Sequence, residues 1–196
     1  MKVLVLSPNP ERIRGVFEAS GDEIIAAAER IDVAPTADFV VSYNYNHILR
    51  QPFLSRFDRR IINIHISMLP WNRGTDPNFW SWFDRTPKGV SIHYIDAGID
   101  TGDLLAQTRV AFGANETLAT SHATLMAQAD RLFARSWPLI RADRVVPTRQ
   151  APGGSHHREK DKAPYWSQMP LRYETPVAVV EAMGEKAATL QGQGTN

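Results

Sequence analysis

The chain has 196 residues, 43% of them apolar, enough for one domain with a sizeable core or one domain with an appendage. Lys and Arg number 22 against 21 Asp and Glu, so no net field gathers nucleic acid or a membrane surface, and neither is expected as a partner. Cysteine is absent, which excludes disulfides, thiolate metal sites and cysteine nucleophiles and agrees with a reducing cytoplasm, the expected location.

After Met1-Lys2, the run Val3-Leu4-Val5-Leu6 is too short for a signal peptide or a membrane span. Closed by Ser7-Pro8-Asn9-Pro10, it predicts a buried strand ending in a turn. Ile13, Val16 and Phe17 predict an amphipathic helix from Glu11, with Pro10 in its first turn and Gly21 as its stop. Strands are expected over 23–27, 38–43 and 60–65. Between the last two lie the polar turn Asn44-Tyr45-Asn46-His47 and a short helical start at Pro52-Phe53-Leu54. A loop at Pro70-Trp71-Asn72-Arg73-Gly74 leads to a short helix over 78–83. The strand expected over 88–95 alternates Val90, Ile92 and Tyr94 with Ser91 and His93, and a returning strand follows over 104–110.

The clearest helix begins after Ala114-Asn115-Glu116-Thr117. Leu118, His122, Leu125, Met126, Ala129, Leu132, Phe133, Trp137 and Ile140 recur every three or four residues, a core-facing stripe at about 3.6 residues per turn. Beyond Pro147 the run Pro152-Gly153-Gly154-Ser155-His156-His157 and the charged Arg158-Glu159-Lys160-Asp161-Lys162 read as a loop or extended arm, either solvated or a lid carrying phosphate-binding charges. Thr175-Pro176 suits the entry of a last amphipathic helix, and the end over 191–196 is expected to fray. The order of elements predicts an α/β fold: an open, mostly parallel sheet flanked by helices, with a short C-terminal arm and helix. Residues 1–146 form the expected catalytic domain, and 147–196 an arm and helix that are no independent domain.

Ligands of such sheets bind outside the carboxyl ends of the strands. Asn63 and His65 stand there two residues apart, a spacing that aims both at one face. Alone, such a pair reads more readily as a structural histidine and its neighbour. The loop Ala97-Gly98-Ile99-Asp100-Thr101-Gly102 changes that reading, because two glycines let the backbone bend tightly and present the Asp100 carboxylate. A carboxylate beside an imidazole fixes its tautomer and favours its charged form, a general-base arrangement with an amide near to polarise a carbonyl oxygen. No histidine or carboxylate set has metal-ligand spacing, so no metal is expected.

Three motifs in order resemble a known family: Asn63-Ile-His-Ile-Ser-Met-Leu-Pro70, Thr86-Pro-Lys-Gly-Val-Ser-Ile-His93, and Asp96-Ala-Gly-Ile-Asp-Thr-Gly-Asp103-Leu-Leu-Ala-Gln107. Over residues 38–140 the chain is similar to the N10-formyltetrahydrofolate-dependent formyltransferases. The resemblance implies a Rossmann-like sheet and catalytic roles for Asn63, His65 and Asp100: Asn63 on the formyl oxygen, His65 on the tetrahedral intermediate and the amine's protons, Asp100 orienting His65. It implies N10-formyltetrahydrofolate as the formyl donor and co-substrate, held by Tyr45, Ile48, Leu49, Ile95, Asp96, Gly98 and Ile99. Asn46 and His47 are more polar than the family's usual segment, and their contact with folate stays open.

Prolines at Ser7-Pro8-Asn9-Pro10 stand where a phosphate loop for glycinamide ribonucleotide would need N–H donors. The methionyl-tRNA enzymes add a carboxyl-terminal barrel, whereas only about fifty residues follow the long helix. The run Leu69-Pro-Trp-Asn-Arg-Gly-Thr-Asp-Pro-Asn-Phe-Trp80 resembles the loop of the sugar N-formyltransferases, which implies as acceptor a small-molecule amine on a nucleotide-linked amino sugar, met by Trp71, Asn72, Arg73, Asp76 and Asn78. Trp80, Trp82 and Phe83, at helical spacing, read as core. A hydrolase of the donor and a silent folate-binding module are the alternatives, and a homodimer is compatible with the striped helices.

Overall fold

A computed structural model describes residues 1–193 except Asp32 and Ala34; of the end expected to fray over 191–196, residues 191–193 continue the last helix and 194–196 lie outside the described residues. Strand β1 (Lys2–Leu6), helix α1 (Glu11–Ala19), and strands β2 (Glu23–Ala27) and β3 (Phe39–Tyr43) open the chain. Helix α2 (Phe53–Arg56) leads to β4 (Ile61–His65), then the two-residue β5 (Arg73–Gly74), α3 (Pro77–Phe83), β6 (Gly89–Tyr94), β7 (Leu104–Arg109) and α4 (Leu118–Ile140). The chain ends with β8 (His156–His157), α5 (Glu159–Trp166), a 3-10 turn at Arg172–Glu174 and α6 (Val177–Gln193).

The main sheet has the order β2-β1-β3-β4-β6-β7. The first four strands run parallel, and β6 and β7 add antiparallel pairs. This is the open, mostly parallel α/β sheet expected from the sequence. Parallel strands bury both faces, and β1 and β3 accordingly read as continuous apolar runs. On one face Val3, Val5, Val41, Ile62, Ile64, Val90 and Ile92 pack against the stripe of α4 and against Ile13 and Phe17 of α1. Leu4, Leu6, Val40 and Ile61 meet Phe53, Leu54 and Phe57 around α2 on the other.

Thr117 caps α4, its side chain accepting from the Thr120 N–H while Thr120 Oγ1 accepts from the Thr117 N–H. The far end of α4 is tied to the sheet edge. Trp137 Nε1 donates to Asp22 Oδ2 at 2.9 Å, and Arg141 and the N-terminal ammonium hold the same carboxylate.

The expected arm is more structured than its sequence suggests. β8 pairs in parallel with β5, Arg73 opposite His156 and Gly74 opposite His157. Residues 159–166, read as part of a charged arm, form α5 despite Pro164. Asp161 accepts from the Arg158 N–H at 2.8 Å, capping the helix, while Lys162 is buried against Asp76 and lies 4.3 Å over the Trp166 ring. Charge composition hid a helix in which Asp161 and Lys162 are paired, with Arg158 and Asp76.

Candidate active site

Asn63 and His65 project from β4 on the face opposite Ile62 and Ile64. The antiparallel register sets His93 directly across from Asn63 and Ser91 across from His65. That face is polar, and the loop after β6 folds over it to bring in Asp100. Asp100 Oδ1 accepts from Asn63 Nδ2 at 3.2 Å and stands 3.4 Å from His93 Nε2. Its Oδ2 accepts from the Gly74 N–H at 2.8 Å and faces His65 Nδ1 at 3.8 Å, beyond a hydrogen bond but close enough for strong charge coupling. The three residues singled out in the sequence thus converge.

Burial acts to raise the Asp100 pKa, but the neighbouring His65, the hydrogen bond and charge of His93, and the Gly74 N–H outweigh it, holding the carboxyl well below its usual range. Asp100 is ionised at neutral pH. The two imidazoles are oriented by carbonyls, which only accept. His65 Nε2 lies 2.9 Å from the Asn72 carbonyl and therefore carries a proton, leaving Nδ1 toward Asp100. His93 Nδ1 donates in the same way to the Tyr94 carbonyl at 2.7 Å, so Nε2 faces Asn63 and Asp100. His65 can then collect a proton on Nδ1 against a fixed negative charge, and Asn63 presents an amide to the same space.

His93 completes the cluster without having been assigned a site role from the sequence. The signal was its place in the 88–95 alternation, two residues from Ser91 on the face that also carries Asn63 and His65. Gly74 is a second unassigned member. Its backbone φ of +91° favours glycine, and a Cβ would run into the His157 carbonyl.

Several residues expected to meet an acceptor do otherwise. Asn72 is 0% exposed: its side-chain amide donates to Thr86 Oγ1 at 2.7 Å and accepts from Ser155 Oγ at 3.1 Å. Asn78 is enclosed too, donating to the Leu118 carbonyl and accepting from Ser121. Both amides are spent on partners inside the protein, as a buried amide must be. Asp76 begins α3 in left-handed backbone and pairs with Lys162. Trp71 is partly exposed, and Arg73 donates from Nε and Nη2 to Gln150 Oε1. Trp80, Trp82 and Phe83 belong to an apolar cluster with Leu118, Met169 and Val180, and Trp80 stacks on His157 at 3.9 Å.

Of the expected folate residues, Tyr45, Leu49 and Ile95 border the apolar cluster around α2, while Ile48 and Ile99 are exposed large apolar side chains. Asp96 Oδ1 accepts from the Gly98 N–H and from Thr101 Oγ1, which shapes the loop that carries Asp100. Tyr45 donates to the Glu29 carbonyl and meets His47 ring edge to face at 5.0 Å. Beside the Asp100 loop opens a polar cleft of about 630 Å³ lined by Arg73, Asp96, Thr101, Asp103, Arg149 and Gln150, among others. Among the described residues no group of three or more His, Cys, Asp or Glu is arranged to hold a metal ion, and no helix is long and apolar enough to cross a membrane.

Residues 14–136 match the formyl transferase family model. A methionyl-tRNA formyltransferase from Chromobacterium violaceum is 35% identical over 154 residues, covering 77% of this chain and 46% of that protein; the chain spans about half the length of the curated relatives it matches. The structure of the formyltransferase PseJ from Anoxybacillus kamchatkensis, in complex with UDP-4,6-dideoxy-4-formamido-L-AltNAc and tetrahydrofolate, is 38% identical with a TM-score of 0.89. The match covers 94% of this chain and 100% of that one. A 4-N formyltransferase from Francisella tularensis, 18% identical over 93% of this chain and 85% of that one with a TM-score of 0.75, shares the fold. The chain belongs to the formyl transferase family.

Proposed function

We propose that this chain moves the formyl group of N10-formyltetrahydrofolate onto the primary amine of a nucleotide-linked amino sugar, with Asn63, His65 and Asp100 at the reacting atoms. The observation that carries this reading is the full-length similarity to PseJ, which was solved with a UDP-linked formamido sugar and tetrahydrofolate. The geometry supplies the chemistry. The amine nitrogen attacks the formyl carbon, a tetrahedral oxyanion forms, and the new C–N bond replaces the bond from carbon to N10. One proton leaves the attacking nitrogen and one arrives on N10, with no change in oxidation state.

Asn63 donates to the oxyanion, redirecting an N–H that otherwise serves Asp100. His65, its Nε2–H held by the Asn72 carbonyl, takes up the amine's proton, and the Asp100 carboxylate stabilises the imidazolium that results. The donor's flat ring suits Tyr45, Leu49 and Ile95, which border the α2 cluster, and the exposed Ile48 and Ile99, with the loop Asp96-Ala97-Gly98 offering backbone groups. In the polar cleft, Arg73 and Arg149 suit a diphosphate, Asp103 suits sugar hydroxyls, and Trp71 offers a face for a ring.

The experiment is a turnover assay with the formyl donor and a panel of UDP- and dTDP-linked amino sugars, read by mass spectrometry. Formylated sugar nucleotide is the expected product. The curated relatives named methionyl-tRNA formyltransferase motivate one further acceptor in the panel, and formylation of methionyl-tRNA in place of every sugar overturns the acceptor assignment. Release of formate at a rate indifferent to any amine overturns transfer itself.

A further inference from the structure

Asp100 has left-handed backbone, φ +53°, although it carries a Cβ. A residue holds that conformation only where its surroundings fix it. Asp96 shapes the loop from within, and a clamp on the Asp100 main chain itself comes from a segment 50 residues on. Gln150 is 9% exposed and uses its amide fully. Nε2 donates at 2.8 Å to the carbonyl of Asp100 and at 2.8 Å to that of Gly102, while Oε1 accepts from Arg73 Nε at 3.1 Å and Nη2 at 2.7 Å. The segment itself is anchored, because Thr148 exchanges both backbone hydrogen bonds with Leu104 at the start of β7.

The far end of the clamp is equally specific. The N–H groups of Arg73 and Thr75 donate to Ser155 and His157 across the β5–β8 pairing. Alternation then turns the intervening Gly74 N–H the other way, onto Asp100 Oδ2. Gln150 therefore grips the main chain of Asp100 on one side and, through Arg73, the neighbour of the residue that holds its carboxylate on the other.

We propose that Gln150 is the positioning residue of Asp100, a single side-chain amide that sets the carboxylate between Asn63 and His65. It lies outside residues 14–136, the stretch matched by the family model, and it touches no reacting atom. The inference rests on the reading that Asp100 serves in formyl transfer.

Two substitutions test it. Gln150→Leu keeps the volume and removes every hydrogen bond. Gln150→Glu keeps the shape and the Arg73 contact but sets oxygen against the carbonyls of Asp100 and Gly102. In both, kcat falls about tenfold to a hundredfold, the cost of a small misplacement of a catalytic group, while the donor KM holds and, in Gln150→Glu, which keeps Arg73 engaged, the acceptor KM holds too. Melting curves confirm that the variants are folded at the assay temperature. The deciding measurement is a double-mutant cycle: in an Asp100→Asn background, Gln150→Leu brings no further loss, because its effect travels through Asp100.

A parental kcat in Gln150→Leu overturns the inference, as do an additive loss in the cycle, a rise in KM at constant kcat, and full activity of Gln150→Glu. The parent chain assayed alongside separates the two readings. A parent without formyl transfer removes the functional reading and this inference together, whereas an active parent matched by Gln150→Leu removes only the inference.

Discussion

Asn63 Nδ2 lies 3.2 Å from Asp100 Oδ1, although the two are 37 residues apart in the chain. The amide proposed to meet the oxyanion and the carboxylate proposed to steady the His65 imidazole are thus tied to each other. Replacing either disturbs both. Asn63→Ala is expected to lower kcat about a hundredfold to a thousandfold by loss of an oxyanion donor. Asp100→Asn is expected to lower it about a hundredfold to ten-thousandfold through His65. Steady-state kinetics with the formyl donor and the acceptor measure both.

Asn72→Ala separates a structural amide from a substrate contact. The substitution leaves Thr86 Oγ1 and Ser155 Oγ without their partner in a closed environment, a loss of about 1–3 kcal/mol. Urea unfolding reads the loss. The acceptor KM at a temperature where the variant is folded stays at the parental value, and a selective rise in that KM refutes the assignment.

Acid is expected to weaken the fold through two buried carboxyls. Burial acts to raise the Asp22 pKa, but Arg141, the N-terminal ammonium and Trp137 outweigh it and hold the group below its ordinary value, as the histidines do for Asp100. Both are depressed in the folded chain. Their contribution is complete above the unfolded carboxyl range, about pH 4, and is lost as pH falls through the lower folded values. Unfolding free energies measured down a pH series show that decline, and Asp22→Asn flattens its share of it. At neutral pH the same variant is also less stable, because asparagine keeps one accepting oxygen but loses the charge and sets an NH2 against donors that Asp22 had satisfied.

Gly184→Ala sets two effects against each other. Alanine in a helix interior gains up to about 1 kcal/mol over glycine. A Cβ at this point of α6, however, runs into the carbonyl oxygen of Phe83 on α3, and overpacking of a fixed contact costs about 1–3 kcal/mol. The clash wins, so the melting temperature is expected to fall. A higher melting temperature contradicts the close α3–α6 approach.

The sheet and the long helix were legible because their residues obey one rule over many positions. The apolar runs of β1 and β3 and the stripe from Leu118 to Ile140 each repeat a single period. Asn63, His65 and Asp100 were legible for a different reason: an amide and an imidazole two residues apart and a glycine-framed aspartate are unusual company. The burial of Asn72 and Asn78 was not legible, because polarity alone does not say which side of the surface a residue occupies, and their partners Thr86, Ser155, Leu118 and Ser121 are remote in sequence. α5 was missed for the same kind of reason. Its charges are matched by Asp76, Arg158 and the Trp166 ring, and none of those pairings follows a local period.

The β5–β8 ribbon also has a meaning for the order in which the protein is made. Arg73 and Gly74 leave the ribosome long before His156 and His157, so β5 has no strand to join while the sheet and α4 are already complete in sequence. A nascent chain can bury its core early and still lack the register that directs the Gly74 N–H at Asp100. Completion of the candidate site then waits on a dipeptide of histidines made after the sheet and α4 and before α5 and α6.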